Sequence, residues 1–417
     1  IGRGEWVMWR DETPVDEYKQ LANDFNPQNF DARRWVRIAK DAGMKYVVIT
    51  AKFHDGFALF KTEASDFNVM DASPFKRDVI KELKDACDEE GMKLGLYYSH
   101  DQDWSNWGGT GSEKFFSGRT HTSNDFMTYV DTVAIPQVTE LCEQYQPDMI
   151  WFDTPRRMNP KLARRFSEAI QSVSPKTIIN SRLLTDGSKA QKATRADRDI
   201  LHDVGVNFVS YADREIPAAS PWPYWETCMT LNDSWGHVQH DRNWKSPKRV
   251  IQQLIEVVSK GGTFLLAVGP DKDGVVSPEA VETLRIVGDW LKVNGDAVYG
   301  AVPTVLNGPG VLTKEYLSKK ANAEERAKKI GRMPHVPVDM EYEWLATGND
   351  DKVYITLFDW PGESFVLDNF EGGIKDAFIL SNPDAKLKAT LNERKLTVNL
   401  PSKLADSKVP VLCLVKE

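Results

Sequence analysis

Between residues 31 and 300 the chain alternates amphipathic helical stretches with short β-branched runs, and no other feature narrows its possible folds as much. Asp31 to Gly43 has helical spacing, with Asp at its start, Trp35, Ile38 and Ala39 apolar, and a closing glycine. Lys45 to Thr50 follows as a strand of the kind buried on both faces. The pair recurs as Asp78 to Glu90 with Lys93 to Ser99, Phe126 to Gln146 with Asp148 to Thr154, and Asn159 to Val173 with Thr177 to Ser181. Further strands are expected at Asn207 to Tyr211 and Thr263 to Val268, and helices at Pro247 to Lys260 and Ser277 to Asn294. Strands joined by helical crossovers make a parallel sheet. A doubly wound nucleotide-binding sheet would carry a glycine-rich turn after its first strand, but Thr50-Ala51-Lys52-Phe53-His54 stands there. The expected α/β fold is therefore a (β/α) TIM-like barrel, its first strand or two divergent or absent.

After Gly300 the pattern changes. A Lys-rich stretch from Lys314 to Arg332 reads as a solvated helix or connection. From about residue 337 short alternating runs separated by turn residues predict an antiparallel β-sandwich: Tyr342 to Ala346, Lys352 to Asp359, Ser364 to Leu367, Ile374 to Leu380, Leu387 to Leu391, Lys395 to Leu400 and Val409 to Val415. The expected division is 1–300 for the barrel, 301–336 for a connection and 337–417 for the sandwich. A net charge of −8 supplies no basic field for nucleic acid. No apolar run reaches the roughly 20 residues that span a bilayer. The four cysteines are widely spaced and read as buried thiols rather than a disulfide framework or zinc site. The chain starts at Ile1 without a leader-like segment, as a processed or truncated product would.

Aromatic residues reach 10%, and many adjoin acids: Glu5-Trp6, Asp103-Trp104, Trp151-Phe152-Asp153, Trp225-Glu226. Rings beside carboxylates suit a sugar, whose C–H faces are apolar and whose hydroxyls need directional partners. Barrel enzymes keep their reactive groups at the carboxyl ends of the strands. That rule selects Lys52, His54, Asp55 and Gly56; Tyr97, Tyr98, His100 and Asp101; Trp151, Phe152 and Asp153; Asn180 and Arg182; and Asp213 and Glu215. Any one of them could be a loop anchor, but five polar strand ends exceed what a structural barrel needs. Asp153 closes an apolar strand, where ionisation is costly without a partner, and Arg182 at the next strand end is a candidate cation. A carboxylate of this kind with a second carboxyl of raised pKa can hydrolyse a glycosidic bond. With seven histidines and no HxH or HExxH motif, neither a metal nor another cofactor is expected, and no GxSxG elbow is present.

The chain resembles the α-L-fucosidases of glycoside hydrolase family 29. The residues that carry the resemblance are GEW at Gly4 to Trp6, the segment from Glu17 to Phe60 containing AKFHDGF, and GLYYS. IWFD at Ile150 to Asp153, WETCMTLNDSWG at Trp225 to Gly236, and the segment ending at Gly300 complete the series. The resemblance implies a barrel followed by a β-sandwich and retaining removal of terminal α-L-fucose from an oligosaccharide or glycoconjugate, with a periplasmic or secreted home. It implies Asp153 as nucleophile and Glu5, Trp6, His54, Tyr97, Trp151 and Arg182 as sugar-binding residues. For the acid/base it points to a Glu four residues before a proline. That position is Asp213, with Glu215 close to level and Glu226 third, and the WE pair Trp225-Glu226 is a further sugar-binding expectation. In a retaining enzyme the two carboxyls stand about 5 to 5.5 Å apart.

Two departures qualify this. The family's FIHWG segment, which precedes GEW, has no counterpart, and Phe53 replaces the first histidine of HHDGF. Losing a group that reads a hydroxyl relaxes specificity. An α-L-galactosidase acting on algal galactan is therefore an alternative, and an inactive carbohydrate-binding homologue a second. Nothing in the sequence sets the oligomeric state.

Overall fold

The computed structural model describes residues 4–116, 118–185, 195–330, 338–402 and 409–417. It comprises two compact units, one of Ile1–Ala212, Pro221–Trp244 and Leu266–Leu284, the other of Asp213–Ser220, Lys245–Leu265 and Arg285–Glu417.

In the first unit β1 (Tyr46–Lys52), β2 (Lys93–Tyr98), β3 (Met149–Phe152) and β4 (Ile178–Ile179) lie side by side and parallel. Tyr46 faces Lys93, Gly95 faces Met149, and Met149 faces Ile178. A parallel bridge from Asn180 to Phe208 leads to β5 (Val209–Ser210), which pairs with β6 (Trp225–Thr230); β7 (Gly262–Ala267) follows later in the chain, where Thr263 to Val268 is expected as a strand. No ring of strands closes among the described residues.

The crossover helices form where the sequence supplies caps. The Asp31 carboxylate accepts from the Arg34 N–H at 3.0 Å to start helix Ala32–Asp41. Asp78 does the same for Val79–Glu90, which Gly91 ends at φ 68°, a left-handed conformation open to glycine. Asn159 caps Pro160–Val173, with proline tolerated at the first helical position. Their inner faces, including Val36, Leu83 and Phe166, form one core with Leu94, Leu96, Tyr98, Ile150 and Phe152. Side chains alternate along a strand, so Tyr97, Trp151 and Asp153 project to the opposite face.

β6 was not expected as a strand. Its WETCMT sequence mixes polar and apolar residues, yet all six are buried, so the polar ones take partners inside rather than mark a surface.

The second unit holds the C-terminal strands, all antiparallel. β8 (Val302–Asn307), β11 (Trp344–Gly348), β12 (Lys352–Leu357), β17 (Val411–Lys416) and β14 (Ile374–Ile379) form one sheet; β13 (Ser364–Leu367), β16 (Lys395–Asn399) and β15 (Ala389–Asn392) form another; β9 (Gly310–Leu312) pairs with β10 (Met340–Tyr342). Val353, Ile355, Leu412 and Leu414 meet Phe365, Leu367, Leu396 and Val398 in a shared core, the packing of a β-sandwich. β8, β9 and helix Lys314–Ile330 occupy much of the stretch expected to be a connection, of which 331–336 lie outside the described residues. All four cysteines are buried thiols. Among the described residues no helix is long and apolar enough to cross a membrane.

Candidate active site

Asp153 follows directly on β3, with a side chain only 13% exposed. Tyr97, on β2, donates its hydroxyl to Oδ2 at 2.8 Å, and Arg182 donates Nη1 to Oδ1 at 2.8 Å. Burial alone raises the pKa of such a carboxyl, but the charge of Arg182 and the hydrogen bonds from Arg182 and Tyr97 outweigh it and hold Asp153 below the ordinary aspartate range. It is an ionised carboxylate with a small accessible edge.

Arg182 is aimed by its other contacts. It lies in the short turn Ser181–Leu183 after β4, donates Nη2 to the Tyr211 carbonyl at 2.7 Å, and stacks its guanidinium over Trp151 at 4.8 Å. Trp151 stacks in turn on Tyr97, with centroids 5.5 Å apart and planes 19° from parallel. Cross-strand register puts Tyr97 opposite Trp151, so the stack is built into the sheet.

His54 Nε2 lies 3.7 Å from Asp153 Oδ2. Burial lowers the His54 pKa to about 4 despite Asp153, so the ring is neutral at neutral pH. Its Nδ1 is 2.5 Å from Ser99 Oγ, and that hydroxyl donates to the Gln102 carbonyl at 2.7 Å. The only hydroxyl proton is thus committed, so Nδ1 carries the ring hydrogen and Nε2 presents a lone pair. A sugar hydroxyl could donate to it. Trp6 meets His54 edge-on at 5.3 Å, and Glu5 beside it in the chain is half-buried. Phe53 packs on His54 at 4.2 Å and on Tyr97 at 6.1 Å.

Glu226 is 1% exposed, and both its oxygens are engaged: Trp151 Nε1 donates to Oε1 at 2.7 Å and the Tyr46 hydroxyl to Oε2 at 2.6 Å. Burial pushes its pKa up against those bonds. The carboxyl sits behind Trp151 and fixes its indole. Trp225, 2% exposed, is part of the buried interior. Asp213 is exposed and Glu215 half-buried, in the segment 213–220 that belongs to the second unit.

His54, Tyr97, Trp151, Asp153 and Arg182 therefore converge, with Trp6 against His54. The other strand-end residues join the framework. Lys52, fully buried, pairs with Asp103 at 2.8 Å and contacts the Tyr129 hydroxyl at 3.0 Å. His100 Nε2 bonds to the Leu183 carbonyl at 3.0 Å, and Asn180 bridges both backbone groups of Phe152. Tyr98 reaches Gln137, and Asp55 accepts from Tyr18. Sequence reasoning missed Tyr46 and Ser99. Tyr46 opens its strand, at the end opposite to the one searched, and Ser99 shows its use only through His54. Among the described residues no group of three or more His, Cys, Asp or Glu is placed to hold a metal ion.

The solved alpha-L-fucosidase isoenzyme 1 from Paenibacillus thiaminolyticus is 30% identical, with a TM-score of 0.80 over 100% of this chain and 93% of that one. This likeness defines the fold class as a TIM-like (β/α) barrel with a C-terminal β-sandwich. A family model described as Alpha-L-fucosidase matches residues 2–296, and the chain belongs to that family. Plasma alpha-L-fucosidase of Homo sapiens is 30% identical over 295 residues, 69% of this chain and 58% of that protein. Alpha-L-fucosidase of Dictyostelium discoideum is 27% identical over 327 residues, 72% of this chain and 66% of that protein. The chain thus spans less than two thirds of the length of these curated relatives.

Proposed function

We propose that the chain is a retaining exo-acting α-L-fucosidase that removes terminal α-L-fucose from oligosaccharides or glycoconjugates. The observation that carries this reading is the Asp153 carboxylate, held ionised by Arg182 and Tyr97 at a strand end, with neutral His54 and Trp6 beside it. Family membership supports the same substrate class.

In the first step an Asp153 oxygen attacks the anomeric carbon while the second carboxyl, Asp213 or Glu215, gives its proton to the departing glycosidic oxygen. The aglycone leaves as an alcohol and fucose stays as an ester of Asp153. In the second step the same carboxyl, now a base, takes a proton from water, which attacks the anomeric carbon and frees Asp153. Glu5, Trp6, His54, Tyr97, Trp151 and Arg182 bind and orient the sugar, and Glu226 acts from behind Trp151. On this reading the chain works in the periplasm or after secretion, where such glycans are met.

The test is hydrolysis of aryl α-L-fucosides. Asp153→Ala should lose turnover by several orders of magnitude, and azide should restore it by forming the β-fucosyl azide. A wild-type chain inert on the fucoside, or an Asp153→Ala variant as fast as wild type, ends the proposal. Asp213→Ala and Glu215→Ala separate the acid/base candidates. The correct one slows fucosides with poor leaving groups far more than those with good ones, because only the former need protonation.

A further inference from the structure

Thr154, the residue after Asp153, has φ 45°. A left-handed backbone is costly for a β-branched residue, and Thr154 is the only such residue with positive φ among those described. Pro155 follows, and a residue before proline favours extended conformations. The local sequence therefore works against the conformation that carries the chain away from Asp153.

What opposes that preference is one oxygen. The backbone N–H groups of Arg156, Arg157 and Met158 all donate to Oδ2 of Asp101, at 2.8, 2.7 and 3.1 Å. Three successive N–H groups converging on an anion form the concave arrangement that fixes a turn. Asp101 is fully buried, and its Oδ1 has no hydrogen-bond partner among the described residues, so the bonding of its carboxylate goes entirely to this turn. Its own loop is held in place, since the Thr110 N–H donates to the Asp101 carbonyl at 2.9 Å.

We propose that Asp101 is a positioning residue for the reaction: by holding the Arg156–Met158 turn it keeps Thr154 left-handed and so sets the direction in which Asp153 presents its attacking oxygen. The proposal rests on Asp153 being the nucleophile. Asp101 does not touch the sugar, so its loss should act on kcat rather than on KM.

The experiment compares wild type, Asp101→Ala, Asp101→Asn, Thr154→Gly and the double variant Asp101→Ala/Thr154→Gly on an aryl α-L-fucoside, with thermal unfolding recorded for each. A misplacement near 1 Å costs about 100-fold, so Asp101→Ala should lose about that in kcat with KM within about threefold. Asp101→Asn keeps one acceptor oxygen and should lose about tenfold or less. Glycine takes positive φ without steric cost, so Thr154→Gly should restore about tenfold of the kcat lost by Asp101→Ala, and should likewise raise Asp101→Asn if the alanine variant does not fold. Wild-type kcat in Asp101→Ala, or no gain from glycine in either background, overturns the proposal. A wild type inert on fucosides overturns the functional reading instead. The crystal structure of Asp101→Ala then decides this one separately: Thr154 leaving the left-handed region supports it, and φ still near 45° overturns it.

Discussion

Ser99 decides which nitrogen of His54 carries the hydrogen. Its hydroxyl proton goes to the Gln102 carbonyl, so it can only accept from Nδ1, and Nε2 is left as an acceptor facing Asp153, the side on which the proposed sugar would lie. Ser99→Ala removes that acceptor. The ring is then free to move its hydrogen to Nε2, where it would donate to Asp153 instead of accepting a hydroxyl. The expected result is a kcat/KM about 10-fold or more below wild type, the scale of leaving one buried polar group unmatched, with the tautomer change visible in the ring nitrogen NMR shifts. A kcat/KM equal to wild type with an unchanged tautomer would dismiss this role. At this scale the sequence was readable in one respect. A polar residue two positions after another on a strand shares its face, and the strand-end rule reached His54, Tyr97, Asp153 and Arg182. It could not tell these from Lys52, His100 or Asn180, which turn into the framework, because the difference lies in partners far away along the chain. Glu226 illustrates the limit: its two bonds come from Tyr46 and Trp151, residues 180 and 75 positions away.

The elements around the site are tied by a buried ion pair. Lys52 ends β1, and Asp103 lies in the loop that follows β2; both side chains are fully buried. Burial lowers the Lys52 pKa, and Asp103 pulls it back up. Gly56 lets the two loops meet: its φ is 87°, and a Cβ there would stand 2.5 Å from Asp103 Oδ1. Removing one partner strands a buried charge, which costs about 3 to 5 kcal/mol, whereas removing both costs less. Urea denaturation should therefore find Lys52→Met and Asp103→Leu each more destabilising than the double variant. Strictly additive losses would show that the pair is not coupled. Most elements were legible because helix caps and β-branched runs are local signals, as at Asp78, Gly91 and Val47 to Thr50. β6 was not, because its buried Glu226 and threonines are tolerated only through tertiary partners. β8 was not, because its inward residues are too few to show alternation, four of its six positions being exposed.

Across the whole molecule, buried titratable groups set how stability responds to acid. His54 and His100 are both buried, and burial lowers each pKa from the ordinary 6.5 to about 4. Between these values the unfolded chain binds protons that the folded chain refuses, so each histidine makes stability rise with pH across this window and fall as acid is added. Asp55 has the opposite sign. Burial raises its pKa from 3.8 to about 6, so the folded chain keeps a proton the unfolded chain has released, and stability falls as pH rises over that range. From pH 4 to 6 each of these three groups changes the slope by up to about 1.4 kcal/mol per pH unit, the histidines raising it and Asp55 lowering it. His100→Gln should lower the slope by up to that amount, because it removes a proton that is taken up on unfolding. Asp55→Asn should raise the slope by a similar amount by removing an opposing group. Urea midpoints and slopes at several pH values from 4.5 to 6 measure both. If His100→Gln leaves the slope of the first unit unchanged, the ring is not held neutral by the fold.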